Sequence, residues 1–291
     1  MPEITELARA KVNLTLRVRG RRPDGHHHLE SLIVFAADAA DAVRFTPGAP
    51  RSVRVSGPQA GAIVGTNLID KTLDRLAAAE PRLTLGAVHL EKHLPVAAGI
   101  GGGSSDAAAL LRAVRRANPS LAGEVDWEGI AAELGADVPV CLADTAAVVW
   151  GTGAQLRAVP DLPVLSAVLV NPLRPVPADK TAQVFARLGA QDLSAPPPAP
   201  DVPAFPDAKA LAAYVRAEGN DLRQVAGAVV PEIAAVHAAL AADARCLAAG
   251  LSGAGPTCFG LYAGPEAAAA AAAELVRRQP EWWVAQSALG P

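Results

Sequence analysis

From Pro95 to Arg116 the chain reads PVAAGIGGGSSDAAALLRAVRR, four glycines and two serines running straight into an alanine- and leucine-rich stretch. Glycine carries the largest backbone entropy into the unfolded state, so a merely connecting loop is destabilised by this many of them. What such a stretch offers is bare backbone: N–H groups that converge on a guest with no Cβ in the way, just ahead of a helix. Ser104 or Ser105 can cap that helix, whose N-terminus carries partial positive charge, and phosphate is the natural guest. The dipole contributes only about 0.3 to 1 kcal/mol, whereas a micromolar nucleotide site needs about 8 kcal/mol. Several charge-assisted N–H bonds must therefore do most of the holding.

Spacing separates this loop from the common phosphate binders. No Gly-Lys-[Ser/Thr] follows it, as a P-loop requires, and Ser104 stands where a dinucleotide fingerprint beginning at Gly99 needs its last glycine. A protein-kinase glycine loop joins two strands and is accompanied by an HRD segment, which is absent.

Around this loop the 291 residues divide in character. Ala8, Ala10, Val12, Leu14, Leu16 and Val18 alternate with Arg9, Lys11, Asn13, Thr15 and Arg17, the period of a half-buried strand with Lys11 and Asn13 on its polar face. LESLIVFAAD, AVRFTP and SVRVSG follow as separate strands after the turn GRRPDGHHH. Helices are expected at Asn67 to Ala79, Ser104 to Arg116 and WEGIAAELG, and LTLGAVHLEKHLPV is strand material. Turn residues near 151–162 suggest a boundary, giving domains 1–155 and 156–291. In the second, the proline-rich QDLSAPPPAPDVPAFPDAKA is a surface loop, followed by DLRQVAGAV and EIAAVHAALAA as helices, the turn LSGAGP, the strand TCFGLYA, the alanine-rich helix PEAAAAAAAELVRRQ and a last strand. That order suggests an antiparallel sheet with helices on one face.

A net charge of −3 with scattered Lys and Arg leaves no footprint for nucleic acid. Three cysteines without CxxC or Cys/His spacing indicate neither disulfides nor zinc. With no signal-like or membrane-spanning run, the chain is expected in the cytoplasm, as a monomer or weak homodimer.

Pro95-Val-Ala-Ala-Gly99-Ile-Gly101-Gly102-Gly103-Ser104-Ser105 closely resembles the phosphate loop of the GHMP kinases, P-x-x-x-G-[LI]-G-x-[GS]-S-[SA]. AKVNLTL near the start and LSGAGPTCFG at 251–260 resemble that family's N- and C-terminal motifs, so the likeness covers nearly the whole chain. AKVNLTLRVRGRRPDGHHHLES, GGGSSDAA and GADVPVCL are similar to the branch that phosphorylates the 2-hydroxyl of a cytidine diphosphate-linked methylerythritol, in non-mevalonate isoprenoid synthesis. The resemblance implies an α+β fold: an N-terminal domain like ribosomal protein S5 domain 2 and a ferredoxin-like C-terminal domain, with the active site in the cleft between them.

It also implies roles. Asp137, which in isolation reads as a turn or cap residue ahead of Val138-Pro139, would accept the hydroxyl proton as the acceptor oxygen attacks the γ-phosphorus of ATP. Lys11, otherwise an ordinary strand lysine, would lie beside it and stabilise charge on the transferred group. Asn13, which could equally face water, would contact the substrate. His27 would read the cytosine, with His26 in the place of the family's base-stacking tyrosine and Phe185 on the opposite face. Gly101 to Ser105, with Pro95 and Gly99, would wrap the triphosphate. Asn67 and Lys92, read alone as a helix cap and a strand lysine, fall where the family approaches the nucleotide. Gly253 and Gly255 would bring backbone near the substrate tail or phosphates, unless they serve only tight packing. Mg²⁺ is expected with ATP, held by a serine hydroxyl, phosphate oxygens and water rather than by a protein cage. Asp106 would favour the helix N-terminus rather than the metal. His26, His27 and His28 do not form a metal site, because consecutive residues point in different directions.

Overall fold

The computed structural model describes residues 2–63, 65, 67–153, 155–195 and 197–290. They form two compact units, each assembled from separate stretches of chain: residues 1–10, 40–96 and 101–144 in one, and residues 11–39, 97–100 and 145–291 in the other.

In the first unit, the end of β3 (His27–Pro47) pairs antiparallel with β5 (Gly86–Glu91), Ala42 opposite Glu91 and Pro47 opposite Gly86. β4 (Ser52–Ser56) lies parallel to β5 on its other side. Four helices pack together, and each announces its buried stripe. α1 (Leu68–Ala79) buries Ile69, Leu73 and Leu76, three and four residues apart. α3 (Trp127–Leu134) buries Trp127, Ile130 and Ala131 and ends at Gly135, as the sequence suggests. α2 (Gly102–Ala117) buries residues around most of its girth, from Ala107 to Val114, because it packs against α1, α3 and α4 (Val138–Ala143) together. Its alanines let those neighbours come close, and each buried Leu adds about 1.5 to 3 kcal/mol of burial.

The second unit holds an antiparallel sheet in the order β11 (Trp283–Gly290), β8 (Leu165–Asn171), β10 (Cys258–Tyr262), β9 (Cys246–Leu251). Val168, Val170, Leu251, Cys258 and Tyr262 share one core with Ala226, Ile233, Val236, Leu240, Ala268 and Leu275. The latter come from α7 (Arg223–Val229), α8 (Glu232–Ala241) and α9 (Pro265–Arg278), so the expected helix-covered antiparallel sheet is present. The same unit takes in the first half of β3, paired with β2 (Arg17–Arg21) and with β6 (Ala147–Gly151). In the β2–β3 turn the Asp24 carboxylate accepts the His26 N–H at 3.1 Å.

Three readings need correction. LESLIVFAAD and AVRFTP are one strand of 21 residues, because Asp38 and Asp41 in the weak AADAADA stretch are held. Asp38 accepts Ala288 N–H and Asp41 accepts two backbone N–H groups. α6 (Ala208–Glu218) follows the proline-rich loop, capped by Asp207, whose carboxylate accepts Ala210 N–H at 2.8 Å. Finally, β1 (Ile4–Asn13) has no wet face at its end: Lys11 and Asn13 are buried there along with Val12, and Thr15 just beyond it is buried beside Leu14. No helix among the described residues is long and apolar enough to cross a membrane.

Candidate active site

The glycine loop is fixed by its oxygens. Ala97 O accepts from Lys180 Nζ at 2.9 Å, Ala98 O from Thr257 N–H at 3.1 Å, Gly99 O from Ser252 Oγ at 2.9 Å and Ile100 O from Lys11 N–H at 2.9 Å. Gly101 O then takes the first helical bond, from Ser105 N–H. Positive φ at Ala97 (54°), Gly99 (77°) and Gly101 (67°) falls on every second residue, so the backbone reverses its sense repeatedly along the loop, as it does where successive N–H groups gather into an anion-binding hollow. Among the described residues none of the backbone N–H groups from Gly99 to Ser104 donates a hydrogen bond. The loop spends its acceptors on the protein and keeps its donors.

Neither Ser104 nor Ser105 caps α2. The helix begins two residues earlier, at Gly102, with Gly101 at the cap and no side-chain cap bond. Ser105 Oγ instead donates to Arg9 O at 2.8 Å from its buried place inside the first turn. Pro95, also buried, precedes the turn. The glycines differ in what demands them. A Cβ on Gly99 would stand 2.6 Å from Ser252 O and 2.8 Å from Gly255 O, so that residue serves the close approach of 97–100 to the turn 252–257. A Cβ on the exposed Gly103 would meet nothing within 4 Å, so that glycine keeps open space rather than a contact.

The turn 252–257 carries Gly253 and Gly255, both at positive φ, and Ser252, which is fully buried. Ser252 Oγ accepts from Asn13 N–H at 3.1 Å while donating to Gly99 O. Asn13 continues the chain of bonds: its Oδ1 accepts from Lys11 Nζ at 3.1 Å, and its Nδ2 donates to Ser31 Oγ at 2.8 Å, which donates in turn to Thr15 O. The ammonium of Lys11 and the amide of Asn13 are thus set by β1, β3 and the second glycine turn together, without freedom to relax toward water.

Lys92 lies elsewhere than a nucleotide-facing strand lysine would. It is 3% exposed, and its Nζ donates to Asp41 Oδ2 and, at 2.7 Å, to Asp106 Oδ2. Asp41 spends its other oxygen on the His93 and Leu94 N–H groups. Burial lowers the Lys92 pKa, but the two carboxylates outweigh it and hold the ammonium charged. Burial pushes the Asp106 carboxyl up, against the pull of Lys92, and its Oδ1 is buried without a partner. Asp106 therefore does not serve the α2 N-terminus but a buried charge cluster under it; a Cβ on Gly102 would come within 3.2 Å of Lys92 Nζ. Asn67 does cap α1, accepting Ile69 N–H at 3.1 Å, and its buried Nδ2 has no partner.

Asp137 stands at the N-cap position of α4, half-buried, but its carboxylate does not cap that helix. In the second unit, the ring that stacks on Phe185 is His27, at 4.9 Å between centroids and 27° between planes. His26 is exposed, its side chain 77% accessible beside Asp24. Burial, with Arg21 and His26 nearby, lowers the His27 pKa and so disfavours the charged ring. Stacked layers lie about 3.5 Å apart, so a base between two rings needs about 7 Å. His27 thus occupies the face of Phe185 rather than framing a gap on it. Among the described residues no group of three or more His, Cys, Asp or Glu side chains could hold a metal ion.

A family model for the GHMP kinases N terminal domain matches residues 67–152, and one for the GHMP kinases C terminal region matches residues 201–281. A Cereibacter sphaeroides protein named 4-diphosphocytidyl-2-C-methyl-D-erythritol kinase is 47% identical over 284 residues, 96% of each chain. The chain belongs to the GHMP kinase family. A Rhodopseudomonas palustris protein of the same name is 48% identical over 286 residues, 95% of this kinase and 94% of its relative. The crystal structure of a 4-(cytidine 5'-diphospho)-2C-methyl-D-erythritol kinase, 32% identical, aligns over 99% of this kinase and all of that chain with a TM-score of 0.74. The α+β two-domain fold expected from the motifs is the fold of this GHMP kinase.

Ser31, Lys180 and Ser252 in the second unit and Asp41 in the first escaped sequence reasoning, because a lone serine, aspartate or lysine carries no local signal of a partner 18 to 239 residues away. The charge cluster gives a test. Lys92→Met leaves two buried carboxylates without their cation, a loss of about 3 to 5 kcal/mol at pH 8 in urea denaturation. A carboxyl whose folded pKa lies above its unfolded value binds more protons when folded, so acid favours the folded state. At pH 5 the same substitution is accordingly expected to cost less, as Asp106 takes up a proton; equal losses at both pH values would contradict this account.

Proposed function

We propose that this kinase transfers the γ-phosphoryl of ATP to the 2-hydroxyl of 4-diphosphocytidyl-2-C-methyl-D-erythritol, giving the 2-phosphate and ADP, in the cytoplasmic non-mevalonate route to isoprenoid precursors. The observation that carries the reading is the row of undonated N–H groups from Gly99 to Ser104, backed by anchored carbonyls. Such a row supplies several charge-assisted bonds to phosphate oxygens without reorganising when they arrive. The name shared by relatives at 47% and 48% identity supplies the acceptor, and His27 beside Phe185 supplies an aromatic surface for its base.

In this reading the acceptor oxygen bonds to the γ-phosphorus as the bond to the β,γ-bridging oxygen breaks, ADP leaves, and Asp137 takes the hydroxyl proton. Lys11, held by Asn13, offsets charge on the transferred group. Asn67, with its unspent amide, borders the nucleotide. A magnesium ion accompanying the triphosphate would neutralise part of its charge. The donors fit such an ion: the Ser104 hydroxyl and the orphaned Asp106 Oδ1 are hard oxygens of the kind it takes alongside phosphate and water.

The assay is ADP release with the cytidyl acceptor, compared with homoserine, with mevalonate and with no acceptor. Turnover is expected with the cytidyl compound alone; turnover confined to homoserine or mevalonate would overturn the acceptor. Asp137→Asn should lower kcat by about 10² to 10⁴ while leaving the Kd for a non-hydrolysable ATP analogue near that of the parent. Gly103→Ala is expected not to lower the melting temperature and to raise it slightly, since its methyl meets nothing and alanine has less unfolded-state entropy, yet to weaken ATP-analogue binding about tenfold, or about 1.4 kcal/mol, by filling space over the N–H row. Undiminished binding would place the phosphates elsewhere.

A further inference from the structure

α5 (Lys180–Arg187) opens on a lysine that is 4% exposed. Its ammonium donates to Ala97 O and to Gly255 O, one oxygen from each glycine turn. Among the described residues no carboxylate pairs with it. The 97–100 segment and the 252–257 turn carry no titratable side chain. Asp179, next in sequence, accepts from the Gln183 amide. On α7, which packs against α5, the charged residue is Arg223, and the remaining charge on α5 is Arg187; neither is an anion.

A buried cation answered only by neutral carbonyls is unusual, because desolvation is costly unless an opposite charge offsets it. Lys92, equally buried, has two carboxylates. Lys180 has none, and burial alone lowers its pKa to about 8. The charge sits where the two glycine turns meet, and the N–H row begins two residues beyond Ala97.

We propose that Lys180 is a positioning residue whose buried charge is completed by a polyphosphate bound at the two glycine turns, an inference that rests on the phosphate reading of the 99–104 loop. It ties both turns together when the site is empty and becomes half of an ion pair when it is filled. The anion can come from the triphosphate of ATP or the diphosphate of the cytidyl acceptor. Both present the same chemistry.

The experiment is calorimetric titration with AMP-PNP in one arm and cytidine diphosphate in the other, at pH 7 and pH 9, in two buffers of different ionisation enthalpy. In the parent protein an arriving anion raises the Lys180 pKa, so a proton is taken up near pH 8, and affinity falls about tenfold from pH 7 to pH 9. Lys180→Arg, which keeps its charge throughout, should bind well and lose that added pH dependence. Lys180→Met should bind about tenfold or more weakly at pH 7 and also lose it. The arm in which the dependence disappears names the anion. If parent, Arg and Met proteins share one pH profile in both arms, Lys180 has no such role even though the phosphate reading stands. If the parent binds neither ligand, the phosphate reading falls and this inference with it. Melting temperatures of the unliganded variants, together with the Arg protein, separate loss of charge from loss of fold.

Discussion

Four consecutive carbonyls cannot be tied down without turning the amides between them the other way. That constraint organises the molecule around the glycine loop. The donors that hold Ala97 to Ile100 come from a helix start, a turn backbone, a serine and a strand, residues scattered from 11 to 257. Most of the second unit is a frame for those four bonds. The loop itself is spent as a surface of N–H groups, which no side chain could present at the same density, because every Cβ would shield the amide beside it.

Three buried lysines show three electrostatic solutions within one chain. Lys92 is a structural charge, neutralised by Asp41 and Asp106 and sealed below the first turn of α2. Lys11 is aimed, its stem buried and its ammonium hydrogen-bonded to an amide oxygen that is itself fixed from two sides. Lys180 is held by carbonyl dipoles. Burial is common to all; between Lys92 and Lys180 what differs is the countercharge, two carboxylates for the first and carbonyl dipoles for the second.

Much of this was legible in the chain. The glycine density, a strand through Lys11 and Asn13, the Asn67 cap, the Gly135 stop and the helix-covered sheet all rest on short-range physics, and the structure follows them. Failures share a cause in long-range pairing. Lys11 and Asn13 read as a wet face because nothing near them in sequence reveals Ser31 or Ser252. AADAADA read as a break in a strand because alanine and aspartate are poor strand formers, yet distant backbone groups satisfy both carboxylates. Ser104 or Ser105 read as a cap because a serine oxygen suits that position, whereas here the helix starts at Gly102 without a side-chain cap and its first donors stay unspent. Helix α6 had its own signal in Asp207 and the AKALAAYVRAE period, obscured by the prolines ahead of it.

The stack of His27 on Phe185 has a consequence for molecular discrimination. A ring tethered on the same scaffold competes at high effective concentration for the aromatic face it covers. In the proposed reading a base that takes this face must displace His27, so a small heterocycle arriving alone is handicapped, while one carrying further anchors along its length offsets the displacement. On that reading the stack selects by molecular reach as much as by shape.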